Sequence, residues 1–324
     1  MSPRTPPHRS HAPREQGFSL VELAMVLLAV GLLAALFLPA TNTMMDNKRR
    51  NETRAKLEAL ESAIARFVMT TKRLPCPADG AQGVANPTSG LEQRNAGPPA
   101  TCTAMTTGVV PWRTLGVPVD SVIDAWGNLI TYRVWARTNV GNGNTIETSL
   151  AMDRGMDMSE CRPSSTGAEV SPFLCSPTSS VLNVLIANAT PPPVAPVPVV
   201  AQSRGFRTCS SDSCPATTIA AVPGPNELSR RVDGNGVAYF LISHGANKYG
   251  AYNPTGTWVA TANGPGPGAQ ENINRNNLAL RTTSPDDFYI DADLSENTAT
   301  YYDDIVRRPT VIKVALDAGL GPRP

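Results

Sequence analysis

The residue that most strongly suggests a chemical role is Glu22, a carboxylate inside an apolar segment. From Phe18 to Leu38 the chain runs for 21 residues, and Glu22 is the only charged side chain among them. A helix rises about 1.5 Å per residue, so this segment is about 31 Å long and could cross the core of a bilayer. An ionisable group there costs roughly 2.5–3.5 kcal/mol on insertion scales and needs a partner cation. Glu22 is therefore a candidate functional residue.

The chain offers little for nucleophilic or acid–base catalysis. Two of its three histidines, His8 and His11, precede the apolar segment, and His244 lies in Ser243-His244-Gly245 at the end of a predicted strand. No G-x-S-x-G nucleophile elbow, H-E-x-x-H zinc motif or phosphate-binding G-x-x-x-x-G-K-[ST] loop is present in the sequence. A lone histidine in a loop is more typical of structure than of catalysis. We predict no catalytic residue and no enzymatic activity.

The six cysteines all follow the apolar segment, and none has the paired CxxC or histidine spacing of a zinc site. Disulfides in an oxidising compartment are the better interpretation. Six cysteines allow many connectivities, so the pairing stays open. Nearest-neighbour pairing is our prediction, which joins Cys76–Cys102, Cys161–Cys175 and Cys209–Cys214.

Aspartates crowd the last third of the chain and could hold a hard cation. Carboxylate oxygens at short spacing suit Ca²⁺, although no twelve-residue EF-hand pattern is present. The sequence favours a solvated acidic loop, with a Ca²⁺ site as the alternative. The candidate ligands are Asp286, Asp287, Asp291, Asp293, Asp303 and Asp304.

Length and composition limit the classes of protein that are possible. The chain has 324 residues and a formal net charge of +1, which argues against a nucleic-acid partner because such partners select a basic surface. Glycine and proline number 25 and 30, which indicates a loop-rich protein that still has enough chain for a real core.

One long helix is predicted to position Glu22, running from about residue 18 to residue 72. Beyond Pro39, where we predict a kink, apolar residues recur at spacings of three and four and predict a stripe that faces a core. The sequence Leu74-Pro75-Cys76-Pro77 ends the helix. The stripe consists of Leu57, Leu60, Ile64, Phe67 and Val68.

The rest of the chain is predicted to form a β-rich head after a stretch that is mostly loop, 74–128. No helical periodicity separates the predicted strands, which favours an antiparallel sheet and an α+β fold. Pro309 interrupts the last strand and predicts an edge or a bend. The proline-rich segment 190–200 is predicted to be a polyproline II spacer, with a ligand for a partner as the alternative, and as a spacer it suggests two lobes in the head. The predicted strands lie at 129–135, 179–189, 236–245 and within 303–316.

The N-terminal sequence resembles that of type IV prepilins and type II secretion pseudopilins. The similarity covers residues 17–39, with GFSLVEL at 17–23, an apolar run, Gly31 and Pro39. It implies a leader at 1–17 that a prepilin peptidase removes after Gly17, followed by N-methylation of Phe18. It also implies that Glu22 pairs with the Phe18 amine of a neighbouring subunit.

The resemblance extends to the architecture. It implies a transmembrane and assembly helix at 18–39, an amphipathic continuation at 40–73 and a periplasmic or extracellular head at 74–324 packed on the helix through its antiparallel sheet. The turn Asp124-Ala125-Trp126-Gly127-Asn128, which precedes a predicted strand, and PWRTLGVP at 111–118 resemble pseudopilin heads. The resemblance also implies a possible calcium site, because similar heads of the secretion family can bind calcium near the C-terminal loop.

The expected function is that of a minor pilin or pseudopilin, a structural subunit of a type IV pilus or a type II secretion pseudopilus. The expected location is the inner membrane, crossed once, with a periplasmic head that a pilus would carry to the cell surface. Expected partners are the prepilin peptidase, other pilins or pseudopilins and the inner-membrane assembly platform. The large head leaves a pilin-anchored adhesin or DNA-binding tip subunit as the alternative, and a membrane-anchored periplasmic enzyme as a third interpretation.

Overall fold

A computed structural model describes residues 19–95, 102–104, 107–135, 138–141, 144–147, 150–157, 205–210, 236–262, 264, 266–275 and 288–321. Side chains are described in these ranges except at 33–43, 136–149, 207 and 288. The chain forms two compact units, Met1–Lys48 and Arg49–Pro324. The predicted strand 179–189 and the spacer 190–200 lie outside the described residues.

The first element, helix α1, spans Leu20–Thr71 and is continuous through Pro39. It ends where Lys72 adopts a left-handed φ of 59°, and Pro75 follows three residues later. This end agrees with the predicted one. A residue before proline disfavours helical geometry, so Pro75 prevents the helix from continuing through Leu74. The kink at Pro39 stays a prediction.

The second half of α1 packs into the core through the predicted stripe. Leu57, Leu60, Ile64 and Val68 are at most 1% exposed. Phe67 is only half-buried, because it lies at the edge of the stripe, where the Arg73 guanidinium stacks 5.1 Å from its ring centroid. The helix face and the sheet contribute to one hydrophobic cluster, and its burial holds the second unit together.

The main sheet has five strands, β1 Ala78–Asp79, β2 Gly108–Val109, β3 Thr131–Val134, β7 Tyr239–Ser243 and β9 Ile305–Arg307. They are antiparallel and lie in the order β1-β2-β3-β7-β9. The centre of the sheet is the pairing of β3 with β7, in which Tyr132 lies opposite Leu241 and Val134 opposite Tyr239.

Smaller elements connect these strands. Helix α2, Trp112–Leu115, and a 3₁₀ helix, Val119–Val122, lie between β2 and β3. The remaining strands form a hairpin, β4 Thr138–Gly141 with β5 Asn144–Glu147, and a parallel pair, β6 Arg207–Cys209 with β8 Phe288–Ile290. Helix α3 spans Ala269–Asn274, and helix α4 spans Val311–Asp317.

The strand predictions that fall on described residues have three outcomes. The predicted strands 129–135 and 236–245 are present as β3 and β7. The prediction for 303–316 is correct for β9, which lies at an edge of the sheet, and wrong beyond Pro309. There Thr310 caps α4 by accepting a hydrogen bond from the Lys313 amide, so the apolar residues follow a helical period instead of alternating.

Candidate functional site

The residues predicted to function in processing and assembly lie close to Ser19, the first residue that the structure describes. Gly17 and Phe18 lie outside the described residues, whereas Glu22 lies in the first turn of α1. The Glu22 amide donates a 3.2 Å hydrogen bond to Ser19 Oγ, which is the arrangement of an N-terminal helix cap. Within the described residues, no helix reaches the combination of length and hydropathy that a bilayer crossing requires.

The cysteines that are described are all disulfide-bonded. Cys76 and Cys102 form a bridge with a Cα–Cα distance of 5.3 Å, as nearest-neighbour pairing predicts. Cys209 also takes part in a disulfide. Cys161, Cys175 and Cys214 lie outside the described residues, so the pairings Cys161–Cys175 and Cys209–Cys214 stay predictions.

The four candidate aspartates that the structure describes do not form one site. Asp291 pairs with Arg308 at 2.6 Å, and Asp293 is exposed. Asp303 and Asp304, which lie between β8 and β9 in the sequence, are instead buried. Asp286 and Asp287 lie outside the described residues.

The two buried aspartates meet a third carboxylate that sequence analysis did not single out. Glu271 on α3 offers an oxygen within 4.8 Å of oxygens from Asp303 and Asp304, and all three residues are buried. We call these three residues the carboxylate centre. Glu271 lies 32 residues before Asp303 in a short helix with no ligand spacing, so no sequence pattern indicates it.

Backbone and amide donors hold the centre in place. Asp303 Oδ2 accepts hydrogen bonds from the amides of Ala246 and Asn247 at 2.6 and 3.0 Å. Glu271 accepts from the Asp303 amide at 2.9 Å and from Asn247 Nδ2 at 2.7 Å. Gly245 has a φ of 57°, and a Cβ there would lie 2.5 Å from Asp303 Cγ, so glycine is required for this close approach.

The clustering of carboxylates makes their ionisation unfavourable. Burial, together with the neighbouring Asp304 and Asp303 carboxylates, raises the pKa of Glu271 to about 9. Burial likewise raises the pKa of Asp304, although the adjacent His244 and the Asn274 amide favour its charged form. A positive charge at this position would relieve the repulsion.

His244 lies beside the centre in an arrangement that superficially resembles a catalytic triad. Its Nε2 is 3.0 Å from Thr131 Oγ1, and its Nδ1 is 3.4 Å from Asp304 Oδ1. All three side chains are almost completely buried, so a substrate could not reach the Thr131 hydroxyl. The Ser243 hydroxyl donates to Asp124 Oδ2 at 2.7 Å instead of to His244. The geometry is that of a polar core.

The Asp124–Asn128 turn also forms part of this core. Asp124 Oδ1 accepts 3.0 Å hydrogen bonds from the amides of Trp126 and Asn128, and Gly127 supplies the left-handed residue with a φ of 85°. The turn leads into β3, in agreement with the sequence prediction. Burial raises the pKa of Asp124, and its three hydrogen bonds partly oppose this increase.

No family model, curated protein or solved structure matches this chain.

Proposed function

We propose that the protein is a structural subunit of a pilin-like filament, either a type IV pilus or a type II secretion pseudopilus. In this proposal the chain is cleaved after Gly17, is anchored in the inner membrane by residues 18–39 and assembles through that helix. The head built from 74–324 carries no chemistry of its own. The partners are the prepilin peptidase, other pilins or pseudopilins and the inner-membrane assembly platform.

The observation that carries the proposal is the exposure of apolar side chains at the start of α1. Every residue from 19 to 32 is exposed, including Leu20 at 84% and Leu28 at 69%. In the sequence the apolar run continues to Leu38. An apolar surface of this extent is unstable in water and needs lipid or other helices to cover it. A filament subunit meets both, first in the membrane and then in the filament.

Glu22 is the residue on this apolar surface that can make the contact between neighbouring helices specific. It is the only charged residue between Ser19 and Leu32, and cleavage after Gly17 would create an amine four residues before it. A carboxylate surrounded by apolar groups gains most from a partner cation, and the Phe18 amine of a neighbouring subunit can supply one. Such a pair would fix the axial register of adjacent helices.

The first experiment examines processing. Protein extracted from the membrane is analysed by mass spectrometry of its N-terminal peptide. We expect the mature chain to begin at Phe18 with one added methyl group. An intact N-terminus at Met1, or cleavage within or after the apolar run, contradicts the proposal.

The second experiment examines assembly with a matched control. Glu22→Ala should reduce entry into sheared filaments or envelope-bound assemblies by at least about tenfold, because a desolvated amine would lose its partner. Glu52→Ala removes another acid from α1 and should assemble normally, because the Glu52 side chain is 50% exposed and pairs with Lys56 on the same helix. Equal membrane levels of both variants show that folding is intact. Normal assembly of Glu22→Ala contradicts the proposal.

A further inference from the structure

The carboxylate centre brings three acidic side chains together in a buried position. Glu271 comes from α3, whereas Asp303 and Asp304 come from the segment before β9, and one oxygen of each lies within 4.8 Å of the others. Glu271 and Asp303 are 1% exposed, and the Asp304 side chain is equally hidden. Buried carboxylates are normally paired with a cation or bound to a metal.

His244 is a basic side chain in contact with the centre, and its Nδ1 lies 3.4 Å from Asp304 Oδ1. Neutral donors make further contacts, namely the Ala246, Asn247 and Asp303 amides, the Tyr301 hydroxyl and the side chains of Asn247 and Asn274. These donors hold the carboxylates close together without neutralising them.

Three buried polar atoms at this position have no hydrogen-bond partner. They are Asp303 Oδ1, Asp304 Oδ1 and His244 Nδ1. Asp303 Oδ2 accepts from the Ala246 and Asn247 amides and the Tyr301 hydroxyl, and Asp304 Oδ2 accepts from Asn274 Nδ2. The two Oδ1 atoms are therefore the oxygens left for a ligand. The His244 side chain is 1% exposed and directs its free nitrogen at Asp304. Buried polar atoms without partners are rare and indicate an ion or water.

We propose that Glu271, Asp303 and Asp304 bind one divalent cation of the hard, oxygen-preferring class represented by Ca²⁺ and Mg²⁺. Oxygen ligands lie 2.3–2.6 Å from Ca²⁺, so two of them on opposite sides of the ion are roughly 5 Å apart, which agrees with the spread of the three carboxylates. Mg²⁺ requires oxygens at about 2.0–2.1 Å and would draw the carboxylates closer together. The site requires no filament and is independent of assembly.

This ligand set differs from the acidic loop considered from the sequence. Asp291 is neutralised by Arg308, and Asp293 points to solvent, so neither belongs to the centre. Glu271 takes their place. The cation would connect α3 to the segment before β9 and, through Asp303, to the turn that follows β7. Its loss should therefore loosen the C-terminal part of the head.

The first test uses the full wild-type chain in detergent, so no variant has to fold. The protein is stripped with chelator and dialysed against Ca²⁺ or Mg²⁺, and bound metal is measured by elemental analysis beside thermal unfolding. We expect one ion per chain. At a free concentration about 100-fold above Kd, we expect Tm to rise by about 5–10 °C. The ion that binds at lower concentration identifies the preferred cation. Absence of bound metal, with Tm unchanged by either ion, overturns the proposal.

The second test locates the site. Asp304→Asn keeps the shape of the side chain and removes its negative charge, so the protein should fold while its cation affinity falls at least about tenfold. Glu271→Gln should have the same effect on binding. Asp293→Asn changes an exposed aspartate in the neighbouring segment and should bind as the wild type does. Binding that survives in Asp304→Asn and Glu271→Gln, or that is lost in Asp293→Asn, overturns the assignment.

Discussion

At the scale of single residues, the contact between Arg73 and Glu92 shows how a charged pair fixes the chain after α1. The Arg73 guanidinium donates to both oxygens of Glu92, at 2.9 and 2.6 Å, and the Cys76 amide donates to Glu92 Oε2 at 2.9 Å. Bidentate pairs of this kind are directional as well as strong. Burial by itself would raise the pKa of Glu92, but these donors outweigh it and lower the pKa below its ordinary value of 4.5.

Glu92→Gln should lower the free energy of unfolding by about 1–3 kcal/mol at neutral pH, because Arg73 would lose its counter-charge in a site only 11% exposed. A lowered pKa means that ionised Glu92 stabilises the fold above pH 4.5, and that this contribution disappears as pH falls through the lower folded value. The difference in Tm between the wild-type protein and Glu92→Gln should therefore become smaller as the pH falls below 4.5. Glu52→Gln is the exposed control, and a constant difference at all pH values contradicts the argument.

At the scale of elements, the second half of α1 is held by the fit of its apolar stripe to the sheet. Leu60 is 1% exposed within the stripe, whereas Met69 on the same helix is 54% exposed. Burial removes apolar area from water, and the close packing of the interior penalises any cavity. The helix and the sheet therefore stabilise each other in one cooperative unit.

Leu60→Ala should lower the free energy of unfolding by about 2–5 kcal/mol through lost burial and the cavity that it leaves. Met69→Ala shortens a side chain on the same helix but should change stability by less than about 0.5 kcal/mol, because that side chain is exposed. Thermal unfolding of both variants measures the difference. Similar effects of the two substitutions would show that the helix does not pack through this stripe.

At the scale of the whole molecule, the disulfide between Cys76 and Cys102 makes the stability of the fold depend on the redox conditions around the protein. It closes a loop with a sequence separation of 26, between the end of α1 and the approach to β2. A crosslink over such a length restricts the unfolded chain more than the folded one. The bridge forms only where the environment is oxidising, in agreement with the proposed periplasmic head.

Replacing both cysteines, Cys76→Ser with Cys102→Ser, should cost about 3–4 kcal/mol for a loop of this length. Lower Tm and faster proteolysis of the double variant are the expected measurements. The wild-type protein treated with a reductant should approach the behaviour of the variant. An unchanged Tm in the double variant would show that the bridge does not restrict the unfolded chain appreciably.

The sequence by itself determined the features that depend on near neighbours. The stripe from Leu57 to Val68 and the end of α1 before Pro75 follow from periodicity and local backbone preferences, which act over a few residues. The strands β3 and β7 were predictable for the same reason. The Asp124–Asn128 turn was expected from the resemblance of its sequence to that of pseudopilin heads.

Only the tertiary structure decided which distant polar groups meet. Glu271 joins Asp303 across 32 residues, and Ser243 reaches Asp124 across 119, at positions where no spacing rule operates. The same contacts make Asp303 and Asp304 buried although their composition suggested a solvated loop. The burial of a residue depends on which segments pack over it, and these segments can be distant in the sequence. A local sequence pattern contains information only on residues that are near one another in the chain.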